Sequence, residues 1–377
     1  MTRLLPLLLL TAAACSAGTD PALPLGAAAP DFALPGVDGR THTLGEYAAS
    51  PVLAVVFTCN HCPVSQLYEG RLEKLYEDYR EKGVALVAIN PDNPGAMRPG
   101  DLGYTDVSDS LAEMKSRAAH RKIAYPYLYD GDTQAVAKKF GITAVPQIYV
   151  FDRDRTLRYR GRIDDNLSEP LVKTQDARNA IDALLAGRPV PPGRTAASGC
   201  PPKWIVNPSG SDKERAAAEP EPVTLRMAAA DDLKKLRGNG TGKLLLVNFW
   251  ATWCGPCVTE FPDLLTTYRM YRGRNFEFVA VSINDPEDRP QVLAFLQERG
   301  ASSPNLLFAT SDISGLQAAF DPLMPAAVPF TLLIAANGDV LHQQLGETDI
   351  LKLRRAILAS LPDDKMYPGL QAYWAGQ

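Results

Sequence analysis

A short cysteine motif occurs twice in this 377-residue chain, each time in the same local setting, and this repetition limits the folds that the chain can adopt. The two C-x-x-C motifs are Cys59–Cys62 and Cys254–Cys257, and the apolar runs before them are Val52–Thr58 and Leu244–Trp250. Short apolar runs of this kind indicate buried strands. Because helical spacing follows each motif, both are predicted to lie where a buried strand passes into a helix.

The order of elements around the two motifs is also repeated. In each half the sequence predicts a strand, the motif, a helix, a second strand, a further helix, a hairpin and a closing helix. Asn337-Gly338 is a strong hairpin turn signal in the second half. A hairpin after a βαβ unit gives mixed strand directions, so the predicted class is α/β, with two domains that each have a central mixed β-sheet flanked by helices.

A proline-rich stretch separates the two halves. Residues 187–222 contain eight of the 31 prolines, and such a density favours an extended, semi-rigid linker. The predicted domains are therefore residues 23–186 and 223–361, with residues 362–377 as a C-terminal tail. Cys200 and Trp204 lie inside the linker and suggest that part of it docks on a domain.

The N-terminus has the pattern of an export signal. Arg3 precedes an apolar run, Leu4–Leu10, and small residues follow at 12–14, which predicts a signal peptide over residues 1–14. The alternative is an ordinary buried helix. Because Cys15 follows three alanines, the segment also resembles a bacterial lipobox, in which this cysteine is lipidated and attaches the protein to a membrane. Both lipoprotein and simple secretion place the chain outside the cytoplasm, where disulfides persist.

Charge and hydropathy exclude several classes. The formal net charge is −4, so there is no overall basic field to attract nucleic acid. The one long apolar run is too short to span a bilayer comfortably, which excludes a multi-span membrane protein. The length fits two ordinary globular domains.

The position of the cysteines predicts redox chemistry. A helix N-terminus favours negative charge, so a cysteine there should have a lowered pKa and react as a thiolate. We expect Cys59 and Cys254 to be exposed attacking groups, and Cys62 and Cys257 to be buried resolving groups. The alternatives are a fixed disulfide and half of a zinc site; the motifs are too far apart for a zinc ribbon.

A proline precedes the hairpin in each half. Val145-Pro146 and Val328-Pro329 both fall between the short helix and the next strand. A cis X-Pro bond at this place would expose an edge to a substrate strand, so Pro146 and Pro329 are candidate substrate-binding residues. The alternative is a trans proline at a strand start.

The second half resembles the TlpA/ResA-like branch of the thioredoxin superfamily. The resemblance is carried by LVNFWATWCGPCVTEFP, residues 246–262. It implies a thioredoxin fold and a thiol–disulfide oxidoreductase that is usually exported. It also implies an acid/base role for Glu260. The alternative interpretation is that Glu260 is a solvated carboxylate on the helix surface. Asn248 stands where thioredoxin has a buried aspartate.

The first half resembles peroxiredoxin-like proteins of the AhpC/TSA or redoxin type. The motifs are GAAAPDF (26–32), FTCNHCP (57–63), YPYLYD (125–130), YRGRIDD (159–165) and GCPPKW (199–204). The Pro-x-x-x-Thr-x-x-Cys loop of true peroxiredoxins is absent, which puts peroxidase activity in doubt. Cys200 is predicted as a free thiol, a partner for another protein or a regulatory contact.

His61 precedes Cys62, as in the C-P-H-C site of the DsbA family. A histidinium near the Cys59 thiolate would stabilise the reduced form and make the disulfide more oxidising. The alternative is a solvent-facing histidine without influence. The other histidines form no metal-ligand spacing, so no metal site and no cofactor are predicted.

The leading function is therefore an exported thiol–disulfide oxidoreductase with two dithiol sites. Its expected partners are protein disulfide or dithiol substrates and an upstream thiol electron donor. A Cu(I)-handling protein is the alternative from another class, because exported thioredoxin-fold proteins can carry Cu(I) on a cysteine pair. Thiol peroxidase activity of the first domain is a further alternative.

Overall fold

The computed structural model describes residues 22–205, 221–308 and 313–361. The predicted signal peptide (1–14), Cys15, linker residues 206–220 and the C-terminal tail (362–377) lie outside the described residues. We use "first domain" for residues 22–205 and "second domain" for residues 221–361. In the described ranges no helix is both long and apolar enough to cross a membrane.

The first domain is built on a five-stranded sheet in the order β5-β4-β3-β6-β7, with a separate β1-β2 hairpin beside it. Its strands are β1 (Ala33–Pro35), β2 (Thr41–Thr43), β3 (Val52–Phe57), β4 (Val84–Asn90), β5 (Tyr127–Tyr129), β6 (Gln147–Phe151) and β7 (Leu157–Gly161). Its helices are α1 (Pro63–Arg80), α2 (Leu111–Arg121), α3 (Ala135–Phe140) and α4 (Asp176–Leu185). Strands β3, β4 and β5 are parallel, and β6 and β7 are antiparallel to their neighbours.

The second domain repeats this plan in a six-stranded sheet, β13-β12-β9-β10-β11-β8. Its strands are β8 (Arg226–Ala228), β9 (Leu244–Trp250), β10 (Phe276–Ser282), β11 (Asn305–Phe308), β12 (Phe330–Ile334) and β13 (Val340–Leu345). Its helices are α5 (Ala230–Gly238), α6 (Gly255–Tyr271), α7 (Arg289–Glu298), α8 (Ile313–Ala319) and α9 (Ile350–Ser360). The predicted α/β class with mixed sheets is confirmed in both domains.

The central strand of each sheet places a cysteine motif. Every residue of β3 and of β9 is buried, because a parallel neighbour lies on one side, an antiparallel neighbour on the other and helices pack on the faces. Each domain has its own hydrophobic core around that strand. The motif leaves the carboxyl end of the strand, where loops from the neighbouring strands converge.

Part of the proline-rich stretch lies on the first domain. We call residues 199–205 the Cys200 segment. Cys200 pairs with Val145 as an antiparallel bridge, and Trp204 packs against the first hydrophobic core. The segment is therefore part of the surface around the first cysteine motif.

The loop between β4 and α2 contacts the second domain. The Tyr271 hydroxyl donates to the Thr105 carbonyl oxygen at 2.7 Å, and Arg355 Nε donates to Asp106 Oδ2 at 2.8 Å. This same loop ends near the first cysteine motif.

Candidate functional site

The cysteines of the second domain lie at the start of a helix, as predicted. Cys254 is the N-cap of α6 and forms a disulfide with Cys257, with a sulfur–sulfur distance of 2.03 Å. The Cys257 backbone N–H donates to the Cys254 sulfur at 3.3 Å. After reduction, this N–H and the helix dipole would both stabilise a thiolate on Cys254.

Pro329 faces this disulfide. The Val328-Pro329 bond is cis, and the Val328 carbonyl oxygen lies 3.7 Å from the Cys254 sulfur. Cys254 is 6% exposed, so the expectation of an exposed attacking group is wrong for it in the disulfide state. Cys257 is fully buried, while the Trp253 side chain is 65% exposed. A partner would therefore reach the disulfide through the narrow exposed edge of Cys254, beside the Trp253 ring.

Glu260 is buried one turn after Cys257, so the solvated alternative is wrong. Its Oε1 accepts from Asn248 Nδ2 at 3.0 Å, and its Oε2 accepts from the Thr348 backbone N–H at 2.7 Å. Burial raises the pKa of Glu260, although these hydrogen bonds oppose the shift. A buried carboxylate with a raised pKa, one turn from the motif, is a candidate for proton exchange.

The first motif sits differently on its helix. Helix α1 begins at Pro63, and its N-cap is Cys62 rather than Cys59. Proline at the first helical position fixes the helix start. Cys59 therefore lies three residues before the N-cap, and the expectation that it opens a helix is wrong.

Cys62 is bonded to a distant cysteine. It forms a disulfide with Cys200, 138 residues away, and Cys59 is the free cysteine among the described residues. The free-thiol role predicted for Cys200 is therefore wrong in this structure. The Cys62 sulfur also lies 3.6 Å from the Val145 carbonyl oxygen, and the Val145-Pro146 bond is cis.

Cys59 is not the exposed, acidic thiol that the sequence suggests. It is 2% exposed, and the expectation of an exposed attacking group is wrong in this state. Burial and the nearby Asp92 and Asp109 carboxylates raise the pKa of Cys59 well above its usual range. The neutral thiol therefore predominates here at neutral pH.

His61 is buried rather than solvent-facing. Its Nδ1 lies 2.7 Å from Asp109 Oδ2 and 3.6 Å from Asp92 Oδ2. Burial opposes a charge on the ring, but the two carboxylates outweigh it and raise the pKa of His61. The raised pKa favours the predicted positive charge beside the motif, but two carboxylates accompany it.

Asp92 and Asp109 were not among the residues predicted for the site. Asp109 Oδ1 accepts from the Asn60 backbone N–H at 2.6 Å and from Asn90 Nδ2 at 2.7 Å, so it holds the loop between the two cysteines in place. Burial and the Asp109 charge raise the pKa of Asp92 to about 6. The available sequence signal was the position of Asp92, two residues beyond the buried strand β4.

Four buried side chains in this site have the donor types of a metal centre. One donor atom from each lies within 4.8 Å of the others; the residues are Cys59, His61, Asp92 and Asp109. One thiol, one imidazole and two carboxylates form a mixed donor set, harder than the thiolates that Cu(I) prefers.

Comparison with known proteins gives a family match for each of the two domains. The AhpC/TSA family matches residues 25–160, and the Redoxin family matches residues 216–356. The thiol-disulfide oxidoreductase ResA of Bacillus subtilis is 30% identical over 115 residues, which is 30% of this chain and 58% of that protein. The protein of the same name from Halalkalibacterium halodurans gives the same identity and coverage. The chain thus spans less than two thirds of these relatives.

A solved structure of an uncharacterized conserved protein from Geobacillus kaustophilus is 38% identical to this chain. It covers 49% of this chain and 94% of its own, with a TM-score of 0.44. The family matches confirm the resemblances drawn from the two cysteine motifs. This chain carries an AhpC/TSA-family domain followed by a Redoxin-family domain, two thioredoxin-like domains in tandem.

Proposed function

We propose that the chain is an exported thiol–disulfide oxidoreductase. The observation that carries the proposal is the Cys254–Cys257 disulfide at the N-terminus of α6, with the Cys257 N–H directed at the Cys254 sulfur. The ResA proteins that match the chain bear the name of this activity. Substrates are protein disulfides or dithiols, and an upstream thiol donor returns the electrons.

The proposed reaction uses both cysteines of the second domain in turn. The Cys254 thiolate attacks a substrate disulfide, so that a mixed disulfide forms and one substrate thiolate leaves. Cys257 then attacks the Cys254 sulfur, which releases the second substrate thiolate and closes the Cys254–Cys257 disulfide. The substrate gains two electrons and the protein loses two. Glu260 accepts the proton of Cys257 within the buried network, and Pro329 borders the substrate strand.

The first domain supplies a second exchange site through Cys59 and Cys62, with His61 beside them. Pro146 borders its substrate edge. Thiol peroxidase activity has less support, because burial and two carboxylates disfavour the Cys59 thiolate. Cu(I) transfer also has less support, since the cysteines other than Cys59 in the described residues are held in disulfides.

A reductase assay tests the proposal. The dithiothreitol-reduced chain should reduce insulin disulfides, and Cys254→Ser should abolish this reaction. The matched control is Thr259→Ser, on an exposed position of the same helix, which should retain activity. Equal rates for the Cys254→Ser variant and the unmodified chain would exclude the second motif as the active site.

Export and lipidation are separate parts of the proposal and rest on the sequence pattern before Cys15. Expressed in a bacterium, the mature chain should begin at Cys15 with a lipid-modified amine, as measured by mass spectrometry. A chain that starts at an intact Met1 would contradict export, and an unmodified new N-terminus would leave simple secretion.

A further inference from the structure

The Cys200 segment lies where an extended substrate would bind the first domain. The Val145 N–H donates to the Cys200 carbonyl oxygen at 2.8 Å, and the Cys200 N–H donates to the Val145 carbonyl oxygen at 2.9 Å. Val145 directly precedes Pro146, the candidate substrate-binding residue. The segment thus combines backbone pairing at this edge with a disulfide to a cysteine of the motif, as a covalently trapped peptide substrate would.

Gly199 allows this close approach. A Cβ atom at position 199 would lie 2.1 Å from the Val145 carbonyl oxygen, which no side chain tolerates without a shift of the backbone. The two strands could not pair in this register if the residue before Cys200 carried a side chain. The register therefore selects a glycine before the bonded cysteine.

Further contacts fix the segment beyond Cys200. The Lys203 N–H donates to Asp92 Oδ1 at 2.7 Å, and the Lys203 carbonyl oxygen accepts from Gln134 Nε2 at 2.8 Å. The Ile205 N–H donates to Gln134 Oε1 at 2.7 Å. The anchor on Asp92 connects the segment directly to the carboxylate pair of the site.

Cys59 is the free thiol of the motif whose other cysteine, Cys62, forms the disulfide to Cys200. The Cys62 backbone N–H contacts the Cys59 sulfur. The Cys59 thiol hydrogen-bonds to the Asp92 carboxylate, and one oxygen of this buried carboxylate lies within 4.8 Å of the Cys59 sulfur. Asp92 is therefore placed to accept the Cys59 proton.

We propose that Cys200 is a third redox cysteine of the first domain, and that transfer of the disulfide from Cys62–Cys200 to Cys59–Cys62 releases the Cys200 segment from the substrate edge. This inference rests on the proposed function and extends it to the control of the first exchange site. An external substrate can pair with Val145 only after the segment has left.

The step is an isomerisation and needs no external oxidant or reductant. Cys59 transfers its proton to Asp92, and its thiolate attacks the Cys62 sulfur. The Cys59–Cys62 bond forms, the Cys62–Cys200 bond breaks, and Cys200 leaves as a thiolate that takes up a proton. The chain keeps one disulfide and one thiol in this domain throughout. The Cys59–Cys62 disulfide can then accept two electrons from a substrate dithiol.

The segment also indicates the class of external ligand. A substrate that binds in the same register is an extended peptide in which glycine precedes the reacting cysteine. A Gly-Cys-Pro-Pro peptide copies the chain's own sequence from Gly199 and is the natural probe.

Differential alkylation of the oxidised full chain tests the transfer. The chain carries Cys254→Ser and Cys257→Ser, so that failure of the second domain as a reductase cannot influence the result. N-ethylmaleimide traps any free thiol, and peptide mass spectrometry locates the label. We expect the label on Cys200 together with a Cys59–Cys62 disulfide. When Cys59→Ser is added, the rate of Cys200 labelling should fall by at least about tenfold. Equal rates with and without Cys59, or an unlabelled Cys200 in the parent, would overturn the proposal.

Two further variants separate catalysis from structure. Asp92→Asn should slow Cys200 labelling at pH 7. The deficit in rate should shrink as pH rises, because hydroxide then replaces the lost base. A rate deficit independent of pH would contradict the role of Asp92 as base.

Gly199→Ala should shift the resting disulfide towards Cys59–Cys62 and speed the labelling of Cys200. Its control is Gly100→Ala, where a Cβ meets no atom within 4 Å. An unchanged distribution in Gly199→Ala would contradict the close docking of the segment.

Discussion

The two C-x-x-C motifs have the same spacing and follow equivalent strands, yet their environments are nearly opposite. In the second domain the helix begins right after the first cysteine, whereas in the first domain it begins after the second cysteine. Each first cysteine receives the backbone N–H of the second cysteine of its motif, but only Cys254 does so at a helix N-terminus. Cys59 lies among buried carboxylates instead. Local helix register and neighbouring charge, rather than the motif itself, decide how acidic the first cysteine is.

The disulfides of the two domains also differ. Cys254 and Cys257 are bonded to each other, with the exposed Trp253 beside them. Cys62 is bonded to the Cys200 segment, which covers its substrate edge. We infer that the second motif is open to partners and that the first must be uncovered before it reacts with them.

The largest expected effect is on substrate reduction. Cys254→Ser should remove nearly all insulin reduction by the full chain, because the attacking sulfur is lost. Cys59→Ser should retain most of it, since burial and two carboxylates disfavour the Cys59 thiolate. The measurement is the initial rate under matched dithiothreitol concentrations. A greater loss from Cys59→Ser than from Cys254→Ser would reverse the assignment of the two sites.

Alkylation of the reduced chain should distinguish the two first cysteines. At pH 7 we expect Cys254 to react with iodoacetamide at least about tenfold faster than Cys59, because each unit of pKa above the solution pH costs about tenfold in thiolate. Raising the pH to 9 should narrow the ratio as Cys59 begins to ionise. Equal rates at pH 7 would show that the carboxylates do not control Cys59.

Asp92 should make stability depend on pH. Its pKa is about 6 in the folded protein against an ordinary value of 3.8, so the folded state binds this proton more tightly than the unfolded state. The contribution of Asp92 to stability should be greatest below about pH 4 and should be lost towards pH 6, a fall of at most about 3 kcal/mol. In urea unfolding of the full chain, Asp92→Asn should remove this pH-dependent fall from the transition of the first domain. His61, whose pKa is also raised, acts in a separate window and loses its contribution above pH 6.5. A variant with the parental pH dependence would refute the assignment.

Glu260→Gln tests proton transfer in the second domain. The amide keeps the size of the side chain but cannot take the Cys257 proton, so we expect a rate loss of roughly tenfold or more at neutral pH. The acid limb of the pH–rate profile should also flatten. Glu298→Gln, the same substitution at an exposed position of α7, is the control. An unaltered pH profile in Glu260→Gln would leave Glu260 with a structural role.

The smallest effect on stability is expected from Trp253→Ala. Since the ring is mostly exposed, the free energy of unfolding should change by less than about 0.5 kcal/mol. The KM for a peptide disulfide should nevertheless rise several-fold, because the ring borders the entry to Cys254. A large loss of stability would mean that the ring has a packing role.

The central strands and the helices after them follow from the sequence because their apolar runs are long and periodic. The run Leu244–Trp250 coincides with β9, and the first-domain run differs from β3 only at Thr58. Strands β5, β8 and β11 were missed because each has three or four residues and no repeated pattern. The closing helix predicted for the first half corresponds to α4, which begins only at Asp176 because the residues before it form loop and 3₁₀ structure.

The site could be predicted only in part, for a similar reason. Both cysteine pairs, the two prolines and Glu260 stand out locally in the sequence. The Cys62–Cys200 bond joins residues 138 apart, and no local pattern identifies such a pairing. Asp109 reaches His61 from a long loop, so its role depends on tertiary folding that strand and helix periodicity does not encode.

The most direct test of the account is the redox titration of Cys254 and Cys257 in the full chain. The protein is equilibrated in dithiothreitol buffers of stepped potential, quenched in acid, alkylated and mapped. We predict one two-electron transition at this pair, with a midpoint potential above about −300 mV. The reduced-to-oxidised ratio should change tenfold for about every 29.6 mV. A pair that remains oxidised well below about −300 mV would be a structural disulfide and would contradict the account.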